Sequence, residues 1–323
     1  MTHPQLFCLK MISVVEICGN DASTILHNLT TQAVKGLEAG DTVETFVTNV
    51  KGKIVGHVMV QQDEKVIRLL GAHGQSDEIA SHIDRYIIRE DAEVSIVDDH
   101  YSGIVVGSDI AERLIQLYSE ATSDSSVGET VQNRSRTVNL VIDDQQIRAI
   151  PVPWLKDQPI LLLVPRKRLT QLCESIAKES SVTMAMEQHF HQERTLHGFP
   201  WFGIDLNENN LPQEADRDAE TISFTKGCYL GQETIARLDA MGQVQKKLVR
   251  WEISNGTPQS GTTVESDGKT VGRLTSVAVT PKGVFAIGPA RRSHFEPGSV
   301  AVVTASPENT TETKETSGTA TVL

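Results

Sequence analysis

Between residues 12 and 97 the chain alternates two hydrophobic periods in a fixed order, and that order restricts the folds open to it. Residues 12–18 (ISVVEIC) read as a strand closed by Gly19. Asn20 or Asp21 can cap a helix in which Ala22, Ile25, Leu26 and Leu29 share one face. Three strands are expected next, at 42–49, 53–60 and 65–70, broken by Lys51-Gly52 and Gln62-Asp63-Glu64. A second helix over 75–88 carries Ile79, Ile83, Tyr86 and Ile87 on one stripe, and 92–97 returns as a strand. The order β-α-β-β-β-α-β is that of a split βαβ, ferredoxin-like α+β layer with its helices on one sheet face.

Residues 103–180 repeat the plan more loosely. Strands are expected at 104–106, 136–142, 146–151 and 160–164, helices at 110–117 and 166–178, and a surface loop at 119–134. From residue 246 the texture becomes short β runs (247–253, 262–265, 270–279, 283–287, 299–304) punctuated by Gly and Pro, which suits a small β-barrel. The resulting division is a first ferredoxin-like subdomain at 1–100, a second α+β subdomain at 101–245, a C-terminal β-barrel at 246–306 and a polar, disordered tail at 307–323.

Charge and cysteine usage narrow the function. A formal net charge of −12 over 323 residues argues against direct nucleic-acid binding, which needs a basic surface. The longest strongly apolar runs, such as 160–164, fall far short of the roughly 20 residues that span a bilayer, so no membrane partner is expected. No basic n-region precedes an apolar stretch at the start of the chain. Cys8, Cys18, Cys173 and Cys228 are scattered with no C-x-x-C pair, which speaks against a disulfide scaffold or closed zinc site and for a reducing cytoplasm. His189 and His191 lack partners for a tetrahedral metal site, and none is expected. The acidic run Asp205, Glu208, Glu214, Asp216 and Asp218 reads as a solvated loop.

The densest information lies in residues 189–244, rich in Gly, Pro and polar residues inside an otherwise regular chain. Gly227 and Gly231 flank Cys228-Tyr229-Leu230, and the ETIARL string at 233–238 suits a helix. Cys228 therefore falls shortly before a helix N-terminus with Lys226 close by, and both features favour a reactive thiolate. A tight turn enclosing a small buried thiol is the other reading of the same string.

Lys226-Gly227-Cys228-Tyr229-Leu230-Gly231-Gln232-Glu233 resembles the signature of the YgfZ family, folate-binding relatives of the glycine-cleavage T-protein, an aminomethyltransferase. Other blocks agree in order: residues 19–31, the strand-turn 48–54 ending in K-G-K, the blocks within 198–215, and Gly272-Arg273-Leu274-Thr275-Ser276. The likeness runs from about residue 10 to 305. It implies three subdomains arranged in a T-protein-like ring around a hole that binds tetrahydrofolate or a derivative, and a role in iron–sulfur cluster assembly or repair. Cluster-dependent tRNA-modifying enzymes are among the clients implied, with iron–sulfur enzymes or assembly proteins as partners.

On that reading Cys228 and Lys226 form the reactive centre. Phe190, Trp201 and Phe202 wall the pterin, Asn49 and Arg194 make polar contacts, and Lys51 meets the glutamate tail. Three positions depart from the relatives. Gly56-His57 stands where the T-protein carries acidic residues, Leu196 stands where a pterin-binding Glu is expected, and Ile12 replaces a ring-stacking Trp. Lacking the acidic group, the chain is not expected to transfer aminomethyl groups from a lipoyl carrier. A folate-dependent aminomethyl or one-carbon transferase is the alternative function.

Overall fold

The computed structural model describes residues 6–119, 136–242, 244–303 and 318–323. The first sheet contains β2 (Ser13–Cys18), β3 (Thr42–Thr48), β4 (Ile54–Gln62), β5 (Val66–Gly71) and β6 (Glu93–Ile96), all antiparallel in the order β3-β4-β5-β2-β6. Helices α1 (Ala22–Leu29) and α2 (Ser76–Asp84) cover one face. Ile25, Leu26, Leu29, Ile79 and Ile83 pack there against Val15, Ile17, Val58, Val60 and Leu69. Five strands and two helices thus follow the expected ferredoxin-like order.

The second sheet begins with a strand that sequence periodicity does not reveal. β1 (Leu6–Leu9) pairs antiparallel with β7 (Tyr101–Val106) and parallel with β11 (Met184–Ala185). The first described strand therefore belongs to the second sheet and the chain then crosses to the first, so a boundary at residue 100 does not separate the two. β7 continues to β10 (Ile160–Pro165), β9 (Gln145–Pro151) and β8 (Val138–Ile142), with α3 (Ser108–Tyr118) and α4 (Leu169–Ser180) packed against it. The β8–β9 hairpin turns at Asp143-Asp144, both at positive φ, as a two-residue turn of this hand requires. The loop expected over 119–134 lies, from residue 120 on, outside the described residues.

The two sheets meet face to face. Phe7, Ile12, Met59, Leu70, Trp154, Leu161, Phe190 and Trp201 belong to one buried cluster between them. Helix α5 (Glu187–His197) leaves this layer and packs against β1 and two strands of the third unit. That unit is a barrel of six strands in the order β12-β18-β17-β13-β14-β16, closed by β12 pairing with β16, with β15 added on β16. Its strands are β12 (Lys246–Ser254), β13 (Thr263–Ser266), β14 (Lys269–Arg273), β15 (Ser276–Thr280), β16 (Gly283–Arg291), β17 (Val300–Val303) and β18 (Gly318–Val322).

Strand β18 corrects the disordered tail expected at 307–323. Gly318, Ala320 and Val322 point inward at period two, between β12 and β17. Their small side chains give too little hydrophobicity to mark a strand, and the barrel supplies the burial. Residues 304–317 lie outside the description. The structure also joins Cys8 on β1 to Cys173 on α4 as a disulfide, a pairing that their spacing does not suggest. Among the described residues no helix is long and apolar enough to cross a membrane.

Candidate functional site

The loop at 223–231 leads into α7 (Gln232–Met241), with α6 (Asp218–Thr221) just before it. Cys228 lies on this loop with its side chain exposed, not enclosed in a turn. The loop itself is stitched to the first subdomain at both ends. Leu230 N donates to Asn28 O at 2.8 Å, Thr48 Oγ1 donates to Leu230 O at 2.8 Å, and Ser223 N donates to Thr31 O at 3.0 Å. Gly231, at φ +81°, presses on the Asn49–Gly52 turn so closely that a Cβ there would meet Asn49 O and Gly52 Cα at 2.5 Å. The two glycine-containing turns, K-G-K and L-G-Q, are thus a matched pair, and the exposed Lys51 and Val50 share the surface turn they form.

Lys226 serves this anchoring and does not activate the thiol. Its Nζ donates to His27 O at 2.5 Å, Thr30 O at 2.7 Å and Gln32 O at 2.8 Å. Those are carbonyls at and beyond the C-terminus of α1, where a cation is favoured. All three ammonium protons are committed there, with Nζ also 4.9 Å from the Tyr229 ring centroid. Burial pulls the Lys226 pKa down to about 7. The other exposed cysteine, Cys18 at the end of β2, is held above its usual pKa by burial and by Glu16 and Glu93, which favours its thiol form.

The residues expected to hold a folate do not converge on one cavity. Asn49 uses its Oδ1 on the backbone N–H groups of Lys51 and Lys53, shaping the turn. Phe190 is sealed between Phe7, Trp154 and Trp201, with ring centroids 6.1, 6.1 and 5.1 Å away. Arg194, 1% exposed, is fully engaged. It donates to Asp205 Oδ2 at 2.7 Å, to Ser276 Oγ at 2.9 Å, to Phe199 O at 3.1 Å and to His191 Nδ1 at 2.8 Å. Burial, with the Arg194 charge beside it, lowers His191 to about 4, so the ring stays a neutral acceptor. Asp205 belongs to this buried pair and not to a solvated acidic loop. Glu214, buried as well, accepts from Asn210 Nδ2 at 2.7 Å.

Trp201 and Phe202 do line an interior cavity, together with Glu44, His57, Trp154 and Phe199. Its volume is about 10 Å³, room for about one water molecule. Small-molecule sites start near roughly 300 Å³. A pteridine does not fit here. The hole is filled by a cluster that the sequence pattern did not single out. His57 stacks on Phe46 and Phe199 at 4.6 and 5.4 Å, and its Nε2 lies 2.7 Å from Glu44 Oε1. Arg217 donates to both Glu44 oxygens, at 2.6 and 2.5 Å. Burial alone would raise the Glu44 carboxyl, but its hydrogen bonds to His57 and Arg217 win and hold it below the usual range. Glu44 and His57 sit on one face of the β3–β4 hairpin, opposite Met59 and Phe46 respectively. That register was the signal available in the sequence.

A larger cleft of about 530 Å³ opens on the other side of α5. Phe7, Leu155 and Leu196 give it an apolar wall, Glu193 and Asp109 supply carboxylates, and Lys156 and Lys282 supply cations. Cys228 lines neither space. Among the described residues, no group of three or more His, Cys, Asp or Glu side chains is placed to hold a metal ion.

No protein-family model matches the chain. An aminomethyltransferase of Thermoanaerobacter pseudethanolicus is 23% identical over 282 residues, covering 85% of this chain and 74% of that protein. The mitochondrial iron–sulfur cluster assembly factor IBA57 of Homo sapiens is 38% identical over 92 residues, 26% of each chain. The tRNA-modifying protein YgfZ of Colwellia psychrerythraea is 44% identical over 52 residues, 16% of each. Among solved structures, aminomethyltransferase T of the glycine cleavage system from Bartonella henselae superposes with a TM-score of 0.79 at 13% identity, covering 99% of this chain and 85% of that one. Two α+β layers and a closed barrel lead to one conclusion: the chain has the fold of a T-protein-like aminomethyltransferase, and over shorter stretches its sequence is similar to YgfZ and IBA57.

Proposed function

We propose that this protein supports iron–sulfur cluster assembly or repair, and through it cluster-dependent enzymes such as those that modify tRNA, with Cys228 as its working thiol. The observation that carries the reading is the exposed Cys228 on a loop fixed to α1 and to the β3–β4 turn. The similarity to an iron–sulfur assembly factor and to a tRNA-modifying protein supports it. A cluster is usually held by four cysteine thiolates. Cys228 offers one, so any further ligands come from a client enzyme or an assembly protein, and the display of the thiol at the surface suits such sharing. Lys226 and Gly231 act as positioning residues. With a net charge of −12, tRNA is reached through the client and not bound directly. On this reading the protein works in the cytoplasm, and the Cys8–Cys173 disulfide is the bond that its thiol reductants would open.

The resemblance to the YgfZ and T-protein families implies a folate ligand. The interior hole does not fit a folate, whereas the cleft beside Leu196 does in volume and in chemistry. Phe7 and Leu155 offer a wall for the ring, and Glu193, one helical turn before Leu196, offers a carboxylate for a pterin edge. Lys156 and Lys282 suit a glutamate tail. A bound reduced folate would supply one-carbon chemistry there. Titration calorimetry with tetrahydrofolate should show saturable binding that Leu196→Trp, by filling the cleft, weakens at least roughly tenfold. Equal binding by the variant removes the folate from this cleft.

The second reading, a folate-dependent aminomethyl transferase, draws on the similarity to aminomethyltransferases across 85% of the chain. Against it, the strand that should carry an acidic group has His57, and the nearby Glu44 is tied up by Arg217. Expression of the chain in bacteria lacking their own YgfZ tests the first reading. Activity of a cluster-dependent tRNA-modifying enzyme should return. Absence of any return, with lipoyl-dependent release of ammonia by the purified protein, would favour the second.

A further inference from the structure

His197 also lines a recess of about 250 Å³, between the end of α5, residues 215–217 and barrel strands β12, β16 and β18. His197, Arg217, Lys247 and Arg250 line it, with Asp216 as the acidic side chain on its wall. Lys247 is paired with Asp216 at 2.8 Å. Arg217 commits Nε and Nη2 to Glu44. Burial, with Arg217 and Arg250 beside it, lowers the His197 pKa and favours its neutral ring.

Arg250 stands apart. Its Nε is buried and has no hydrogen-bond partner among the described residues. Buried guanidinium nitrogens are normally paired. Nor is the side chain there by accident of a loose surface. Gly198 closes α5 in the left-handed region at φ +90°, and a Cβ at that position would lie 2.5 Å from Arg250 Cδ. The backbone conformation favours glycine, and the absence of a Cβ leaves the path along which the Arg250 stem crosses the helix end.

We propose that this recess binds a small oxyanion, of phosphate or polycarboxylate chemistry, anchored on the Arg250 guanidinium with Lys247 at its rim. The planar fork of arginine matches two oxygens of such groups. The volume lies just below the roughly 300–1,000 Å³ of drug-sized sites, which suits a compact anion and excludes a nucleotide. The recess holds no residue of the thiol loop and shares only His197 with the larger cleft, and it does not depend on the function proposed above.

The test is titration of the full-length protein with inorganic phosphate, pyrophosphate and citrate, ionic strength held constant with chloride. At least one should bind saturably at millimolar concentration or below, and the preferred one separates phosphate from carboxylate recognition. Arg250→Met keeps an unbranched stem against Gly198 and removes the fork, and it should weaken binding at least roughly tenfold, as expected for a lost charge-assisted hydrogen bond. Lys247→Gln, on the recess rim, folds independently of that buried stem and should weaken binding by roughly threefold. Failure of all three anions to saturate, or undiminished binding in either variant, overturns the proposal.

Discussion

Asp205→Ala is expected to lower unfolding stability by about 3–5 kcal/mol, the range for breaking a buried ion pair from one side. Its carboxylate is 0% exposed and meets Arg194, whose side chain is 1% exposed, at 2.7 Å. It also accepts from Trp201 N at 2.9 Å, from Thr275 Oγ1 at 2.5 Å and from Ser276 Oγ at 2.6 Å. One carboxylate therefore joins α5, the G-F-P-W-F-G-I-D block and β15 of the barrel. Alanine would strand a guanidinium in the interior, leave the Trp201 N–H without its acceptor and take one partner each from the Thr275 and Ser276 hydroxyls. Against a typical domain stability of roughly 5–15 kcal/mol, this is a large fraction. Urea unfolding measures it. The double variant Arg194→Met, Asp205→Ala should recover part of the loss, because the stranded charge is gone. A loss below about 1 kcal/mol for Asp205→Ala, the scale of an exposed pair, would contradict the burial described here.

The same pair shows where sequence patterns carry structure and where they do not. Helices α1 and α2 are legible because each buries one face at a period near 3.6, and strands β2 to β5 because burial on both faces of their sheet gives them nearly continuous apolar runs bounded by turn residues. β1, β11 and β18 are not legible. They are two to five residues long, and β18 is built from Gly, Ala, Thr and Val, so their burial comes from neighbours distant in the chain. The barrel's expected strand at 270–279 divides into β14 and β15, because both pair with different parts of β16.

The side chains tell a similar story. An aromatic or a charged residue in an irregular block has the same letter whether it walls a ligand or seals a seam. Phe190, Trp201 and Arg194 seal a seam, since the partners that claim them (Phe7, Trp154, Asp205, Ser276) come from other elements. Lys226 stands two residues from Cys228 in sequence, yet its long stem carries the ammonium to α1. Local proximity in the chain does not fix where four methylenes end. The Glu44–His57–Arg217 cluster was missed for the converse reason. Two of its members come from facing strands and the third, Arg217, lies 173 residues beyond Glu44.

The second large effect is on function. Cys228 is exposed, and the glycines and backbone bonds around it hold the loop without its sulfur. Its removal should leave folding untouched, since exposed substitutions away from such features usually stay within about 0.5 kcal/mol. The chemistry, in contrast, has no substitute. Cys18 stands on β2, with Glu16 and Glu93 raising its pKa, and Cys173 is buried. Serine at 228 keeps the shape of the loop but offers a hard, weakly acidic oxygen where iron or a sulfur donor requires a soft thiolate.

Activity of a cluster-dependent tRNA-modifying enzyme, measured in bacteria whose YgfZ is replaced by this chain, is the most direct test. The Cys228→Ala and Cys228→Ser proteins, present at wild-type level and with wild-type unfolding midpoints, should leave that activity at the level of the empty vector. Wild-type activity with either variant would mean that the exposed sulfur has no part in what the protein does.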